Sequence, residues 1–272
     1  MGRNRTLEAI VSIAGQLDPS LAQAIGDAQK QFSGLKVGIA AISTVTVAAT
    51  AAVVKFGADA VTSAVGFETQ MANVATLLDG TSEQVSERVS ELGDDVLAVS
   101  NNTGVATDEL TDGLYQIISA VGDSEDAIDQ MELAAKAAAA GGATTTDAIN
   151  LLTAVTKGYG DTSADAFQKA SDLSFMTVKL GQTSFPELAS SMGKVVPLAS
   201  ALGVEQEELY GAFATLTGVT GSTAEVATQM KAVMSGLMSP TDGMTKALNS
   251  LGYANVNMAL ESLGLQGTLD AL

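Results

Sequence analysis

The chain contains no cysteine, no histidine and no tryptophan among its 272 residues. Without cysteine it has no disulfide, no thiolate metal site and no cysteine nucleophile. Without histidine it also lacks the usual general base and the commonest metal ligand. These absences exclude most familiar catalytic and metal-binding arrangements. We therefore expect no catalytic residue, no cofactor and no metal site, and the protein is not predicted to be an enzyme.

Aromatic and basic residues are also scarce. Aromatic residues make up 4% of the chain against 46% hydrophobic residues, so the core must be built from Leu, Val, Ile, Met and Ala. Lys and Arg number 13 against 31 Asp and Glu, which gives a net charge of −18. Residues 1–36 are close to neutral, so the excess acid lies in the rest of the chain. A surface this acidic repels phosphate, and no direct nucleic-acid binding is expected.

What the chain does contain is apolar residues at helical spacing. Phe67, Met71, Val74 and Leu78 form one stripe, and similar stripes follow as far as residue 272. Leu173, Met176 and Leu180 are read in the same way, as part of the core. The pattern predicts an all-α fold, in which N-terminal helices, one of them Ala-rich and apolar, precede a bundle of short antiparallel helices.

Glycines divide these helices at intervals of roughly 20 residues, enough for a short helix and a turn. They are Gly104, Gly122, Gly142, Gly160, Gly181 and Gly203. A glycine can end a helix in the left-handed conformation, and the polar or acidic residues after it can cap the next helix. The spacing drifts too much for a regular solenoid, so we predict a loose repeat.

Other turn signals set the expected boundaries. Thr81, Ser184 and Ser222 begin helices as capping residues, and Val196–Pro197 is predicted to kink or break one. The cluster of Ser, Pro, Thr, Asp and Gly at 239–243 predicts a boundary. The expected divisions are an N-terminal helical segment at 1–33, an apolar Ala/Thr-rich helix at 34–66, a helical domain at 67–240, and the start of a further helical region, truncated, at 241–272.

Residues 37–54 pass without a charge, which is close to the minimum length for crossing a bilayer. One interpretation is a membrane-inserting helix. The other is a helix packed against protein, including copies of itself, which its small residues favour. We favour the second and choose the larger apolar residues as candidates for self-association or membrane contact: Val37, Ile39, Ile42, Val45, Val47, Val53 and Val54.

Paired carboxylates are the remaining candidates for chemistry: Asp94 with Asp95, Asp108 with Glu109, Glu125 with Asp126, and Glu205 with Glu207 and Glu208. Most stand in first helical turns, where capping and the helix dipole explain them. They match no calcium loop and no glutamate–histidine metal motif.

Several longer stretches occur together in a distinctive order, among them Ser-Phe-Pro-Glu-Leu-Ala from Ser184 and Gly-Ser-Thr-Ala-Glu from Gly221. They are residues 7–21, 66–74, 106–110, 184–189, 194–203, 221–225 and 237–240. In this order, and over nearly the whole chain, they resemble phage tail tape measure proteins.

The resemblance implies a non-enzymatic virion protein of a long-tailed phage or prophage, acting in tail assembly, tail length determination and genome delivery. Its implied partners are copies of itself, tail tube and tail tip proteins, tail assembly chaperones and, during delivery, the host membrane. It implies a location in the tail lumen of the virion, and in the host cytoplasm during assembly, with membrane insertion on infection. The alternative is a soluble helical adaptor or receptor-like bundle anchored to a membrane through 37–54.

Overall fold

The computed structural model describes the backbone of residues 58–272 and the side chains from residue 66 onward. This part of the chain contains twelve helices and no strand, which confirms the all-α prediction. In chain order the helices are α1 Ala58–Ala75, α2 Ser82–Thr103, α3 Thr107–Val121, α4 Ala127–Gly141, α5 Thr145–Tyr159, α6 Ala164–Leu180, α7 Phe185–Met192, α8 Val196–Leu202, α9 Gln206–Thr220, α10 Thr223–Met238, α11 Asp242–Ser250 and α12 Val256–Asp270.

The first ten helices form two layers. One layer holds α1, α3, α5, the pair α7 and α8, and α10, each packed on the next. The other holds α2, α4, α6 and α9 in the same manner, and successive helices join the layers as hairpins. Helices within a layer run parallel. The arrangement is therefore a stack of helical hairpins, more ordered than the loose repeat that the sequence predicted.

The glycines act at helix ends for the expected reason at most positions. Gly104, Gly142, Gly160 and Gly203 have φ between 63° and 79° and lie in the left-handed region. Gly181 differs, because its φ of −105° is one that any residue adopts. A Cβ there would lie 2.9 Å from the backbone oxygen of Ala214 in α9, so close packing between α6 and α9 explains this glycine.

The break near Val196–Pro197 occurs a few residues earlier than predicted. Helix α7 ends at Met192, and α8 begins at Val196 with the proline in its first turn. A proline in the first turn costs no internal hydrogen bond, so it begins the new helix and does not interrupt an old one. Both short helices pack between α5 and α10 and together fill one place in the layer.

The apolar core runs from Met71 in α1 to Leu265 in α12. Leu173 of the predicted α6 stripe packs against the core, but the prediction is wrong for the other two residues, because Met176 is 51% exposed and Leu180 is 67% exposed. This helix instead buries Phe167 and Ala170 together with the polar residues Ser171, Ser174 and Thr177. Hydroxyls that bond to carbonyls of their own helix can be buried, and a count of apolar residues misses that face.

The structure confirms the three predicted helix-capping residues. Thr81 and Ser184 form complete capping boxes, and Ser222 accepts a hydrogen bond from the amide of Glu225 at 3.3 Å. A turn follows α10 where the boundary at 239–243 was predicted, and α1 runs across the predicted boundary between residues 66 and 67. The division into domains stays a prediction.

Candidate functional site

The predicted self-association segment lies outside the described residues. This applies to Val37, Ile39, Ile42, Val45, Val47, Val53 and Val54, and to the 1–33 segment as well. Within residues 58–272 no helix is both long and apolar enough to cross a membrane.

Several of the paired carboxylates hold helices together. Asp126 accepts a hydrogen bond from the backbone amide of Ala164 at 3.0 Å, and Glu109 accepts one from Thr145 at 3.3 Å. In both cases an acid at the start of one helix caps the next helix in the same layer. Glu208 likewise accepts from the amide of Leu265 in α12. These carboxylates supply the acceptors that helix N-termini need.

Other acidic residues pair with the few basic ones. Glu207 lies 2.8 Å from Lys169, and this hydrogen bond lowers the pKa of Glu207. Arg88 of α2 makes three hydrogen bonds to Asp123 in the α3–α4 loop and one to the carbonyl of Ser124. Over the part of the chain that the structure describes, no three acidic residues come close enough to hold a metal ion.

A buried polar contact joins α6 to α9. The Tyr210 hydroxyl lies 3.0 Å from Ser174 Oγ, and Thr177 Oγ1 lies 3.3 Å from the Tyr210 carbonyl. Burial raises the pKa of Tyr210 well above its usual value, so the hydroxyl stays neutral. Sequence reasoning missed this contact, because residues some 36 positions apart carry no signal of it.

A groove with a mixed lining lies on the surface of the described residues. It lies between α4 and α6, has a volume of about 400 Å³, and is lined by Asp129, Glu132, Leu133, Lys136, Ala137, Ala140, Gln168, Ser171, Asp172 and Phe175. Sequence analysis did not indicate it, since it depends on which faces of two helices remain uncovered. A helical fold in which several acidic residues cap and join helices is typical of a structural protein.

A comparison with known families agrees with that class. The family described as "Phage-related minor tail protein" matches residues 93–272, about two thirds of the chain. The chain belongs to this family of phage tail proteins. The match runs from the middle of α2 through α12, and it confirms the resemblance at the level of the family. No curated protein and no solved structure matches the chain.

Proposed function

We propose that this phage minor tail protein is a tail tape measure protein, which acts in tail assembly, tail length determination and genome delivery. The match to the minor tail protein family is the observation that supports a role in the phage tail. The order of the resembling stretches, from residue 7 to residue 240, supports the more specific assignment. The acidic body supports it too, because a protein in the path of the genome should not hold DNA.

The described helices are not the ruler itself in this proposal. A ruler needs extended helix, which rises about 1.5 Å per residue, whereas residues 58–272 fold into twelve helices of at most 22 residues. We assign them the role of a folded assembly module that contacts tail tube or tail tip proteins and assembly chaperones. The cytoplasm of the host during assembly and the tail lumen of the virion are the corresponding locations.

Deletion of the gene from the phage or prophage that encodes it tests this function. A tape measure role predicts lysates without tails, or with tubes of irregular length, in electron micrographs. Tails of normal length that fail to infect would contradict it and would indicate an accessory tail component. Complementation with the intact gene is the control.

The location of the protein separates the proposal from the alternative. Mass spectrometry of purified virions should detect peptides from residues 58–272. An adaptor or receptor-like bundle anchored through 37–54 would instead be found in host membranes and be absent from virions. The family match favours the virion.

We further propose that residues 37–54 associate with copies of the protein. Replacing Ile42 and Val47 by Asp should lower the sedimentation coefficient of the purified chain, because an unpaired charge is costly in an interface. If the segment enters the host membrane, the chain should bind liposomes and the same changes should abolish binding, each charge costing about 3 kcal/mol at the bilayer centre. A chain that stays monomeric at high concentration yet partitions into liposomes would contradict self-association.

The proposed role is non-enzymatic and independent of metal ions. Addition of a chelator should therefore leave the Tm of the chain unchanged, whereas a fall of several degrees would reveal a structural ion.

A further inference from the structure

The groove between α4 and α6 is long enough to hold a helix from another protein. Its lining on α4 extends from Asp129 to Ala140, a rise of about 17 Å at 1.5 Å per residue. Three turns of a partner helix have the same length. The volume of about 400 Å³ admits a few side chains, so such a helix would lie along the groove and insert one face.

Small residues keep the groove open. Ala137 and Ala140 line it from α4, and Ser171 lines it from α6, so no large side chain closes the space. Phe175 stands at the same end as Ala140, and its ring packs against Phe185 at a centroid distance of 5.1 Å. With Leu133 these residues give the groove an apolar floor.

Acidic side chains flank this apolar floor. Glu132 is paired with Lys136 at 2.7 Å, so these two charges offset each other. Asp172 accepts a hydrogen bond from Gln168, and Asp129 is exposed and has no hydrogen-bond or ion-pair partner among the described residues. Two uncompensated negative charges therefore stand beside the apolar floor.

Two exposed apolar side chains lie further along α6, outside the groove lining itself. Met176 and Leu180 follow Asp172 at four-residue intervals, so all three lie on one edge of this helix. They are 51% and 67% exposed, and they are two of the larger apolar side chains left in solvent. The edge thus changes from acidic to apolar within two turns.

We propose that this groove binds a cationic amphipathic helix of a partner protein. Its basic residues would meet Asp129 and Asp172, and its apolar face would cover Leu133 and Phe175. The negative charge of the described residues indicates that the partner helix is positively charged. A second acidic body of this protein, a nucleic acid or an anionic membrane would be repelled, because residues 58–272 carry 28 acidic against eight basic residues.

Binding of a model peptide to the full chain tests the proposal. The probe is a fluorescent peptide of about 15 residues that places Leu on one helical face and Lys on the other, and the control peptide has the same composition in scrambled order. Anisotropy at physiological salt should show tighter binding of the amphipathic peptide. Equal binding of both peptides would reduce the effect to bulk charge and overturn the proposal.

Two pairs of variants locate the binding site. Asp129→Asn with Asp172→Asn should weaken binding by about fivefold or more, whereas Asp94→Asn with Asp95→Asn, which removes the same charge from α2, should change it by less than about twofold. Ala140→Trp should block the groove without a change in charge, and Ala139→Trp, an exposed neighbour that does not line the groove, should not.

The proposal would be overturned if the two variants of each pair weakened binding equally. It would also be overturned if none of the variants changed binding. Circular dichroism melts of each variant ensure that only folded protein is compared.

Discussion

At the scale of single residues, side-chain volume decides how closely the helices of one layer approach. Gly181 is the clearest case, since a Cβ there would lie 2.5 Å from Thr217 Oγ1 and 3.0 Å from the Ala214 Cα. Backbone atoms cannot move aside cheaply. The contact between α6 and α9, including the buried Ser174–Tyr210 hydrogen bond, depends on this missing side chain.

Gly181→Ala should therefore lower the free energy of unfolding by about 1–3 kcal/mol through overpacking. Gly211→Ala in α9 is the matched control. Nothing lies within 4 Å of its added Cβ, so better helix propensity should stabilise that variant by up to about 1 kcal/mol. Urea denaturation of both variants measures the difference. Equal effects would show that packing at Gly181 is looser than the structure indicates.

Glu68 in α1 is a residue whose charge opposes folding. Burial raises the pKa of Glu68 above its usual value of 4.5, so folding disfavours the ionised form. The resulting cost is present at pH values above the folded-state pKa, and it disappears below the unfolded-state pKa, where the group is neutral in both states.

Glu68→Gln should accordingly raise the Tm near neutral pH, and the gain should vanish at about pH 3.5. Glu87→Gln, an exposed change on α2, controls for the loss of one negative charge from an acidic protein. Thermal melts at the two pH values provide the measurement. A gain for Glu68→Gln that persists in acid would point to a cause other than ionisation.

At the scale of helices, stability depends on caps donated from one helix to another. The Asp126 carboxylate bonds to the first amide of α6 and stands at the start of α4 without capping it. Glu109 acts in the same way between α3 and α5. At the other end of α3, the Lys157 ammonium donates to the Ala120 carbonyl. Such bonds set the register between helices in the same layer.

Asp126→Ala should destabilise the protein by about 1 kcal/mol, the usual value of an N-terminal cap. Glu125→Ala is the control, because Glu125 is exposed, stands beside the same helix start and makes no cap. Both changes remove one negative charge near α4. If chemical denaturation gives equal losses for the two variants, the charge and not the bond to Ala164 is responsible.

At the scale of the folded stack, the last two helices are held by the fewest interactions. Their contribution to the core is Leu248, Val256, Ala259, Leu260 and Leu265. The same number of large apolar side chains stays exposed in or directly after these helices, namely Leu251, Met258, Leu263, Leu269 and Leu272. A gap of about 300 Å³ also separates the start of α12 from the ends of α8 and α10.

Amide hydrogens of α11 and α12 should consequently exchange about tenfold faster or more than those of α3 and α5, because local opening follows the number of buried contacts. Hydrogen–deuterium exchange of the full chain, followed by mass spectrometry of its peptides, makes the comparison. If the amides of α11 and α12 were as well protected as those of α5, the prediction would be wrong, and the last two helices would unfold together with the rest of the stack.

Two contacts show why part of the structure could not be predicted from sequence. They are the hydrogen bonds between Arg88 and Asp123 and the hydrogen bond between Glu208 and Leu265. Arg88 and Asp123 belong to different elements, and nothing in the local pattern pairs them. Glu208 was recognised as a first-turn acid, but its partner lies 57 residues further along the chain. Helix capping predicts that an acidic side chain will accept a hydrogen bond from a backbone amide at a helix N-terminus. Which amide it bonds to is decided by how the helices pack.

The sequence by itself determined the helical class, most helix ends and the structural use of the acids, because apolar period, glycine and capping residues act within a few positions. It also indicated the family through stretches in a characteristic order. Only the tertiary structure decided the two-layer stack, the polar face by which α6 meets α9, and the exposure of Met176 and Leu180. Those outcomes depend on which of several faces each helix buries, and that choice is made by neighbours distant in sequence.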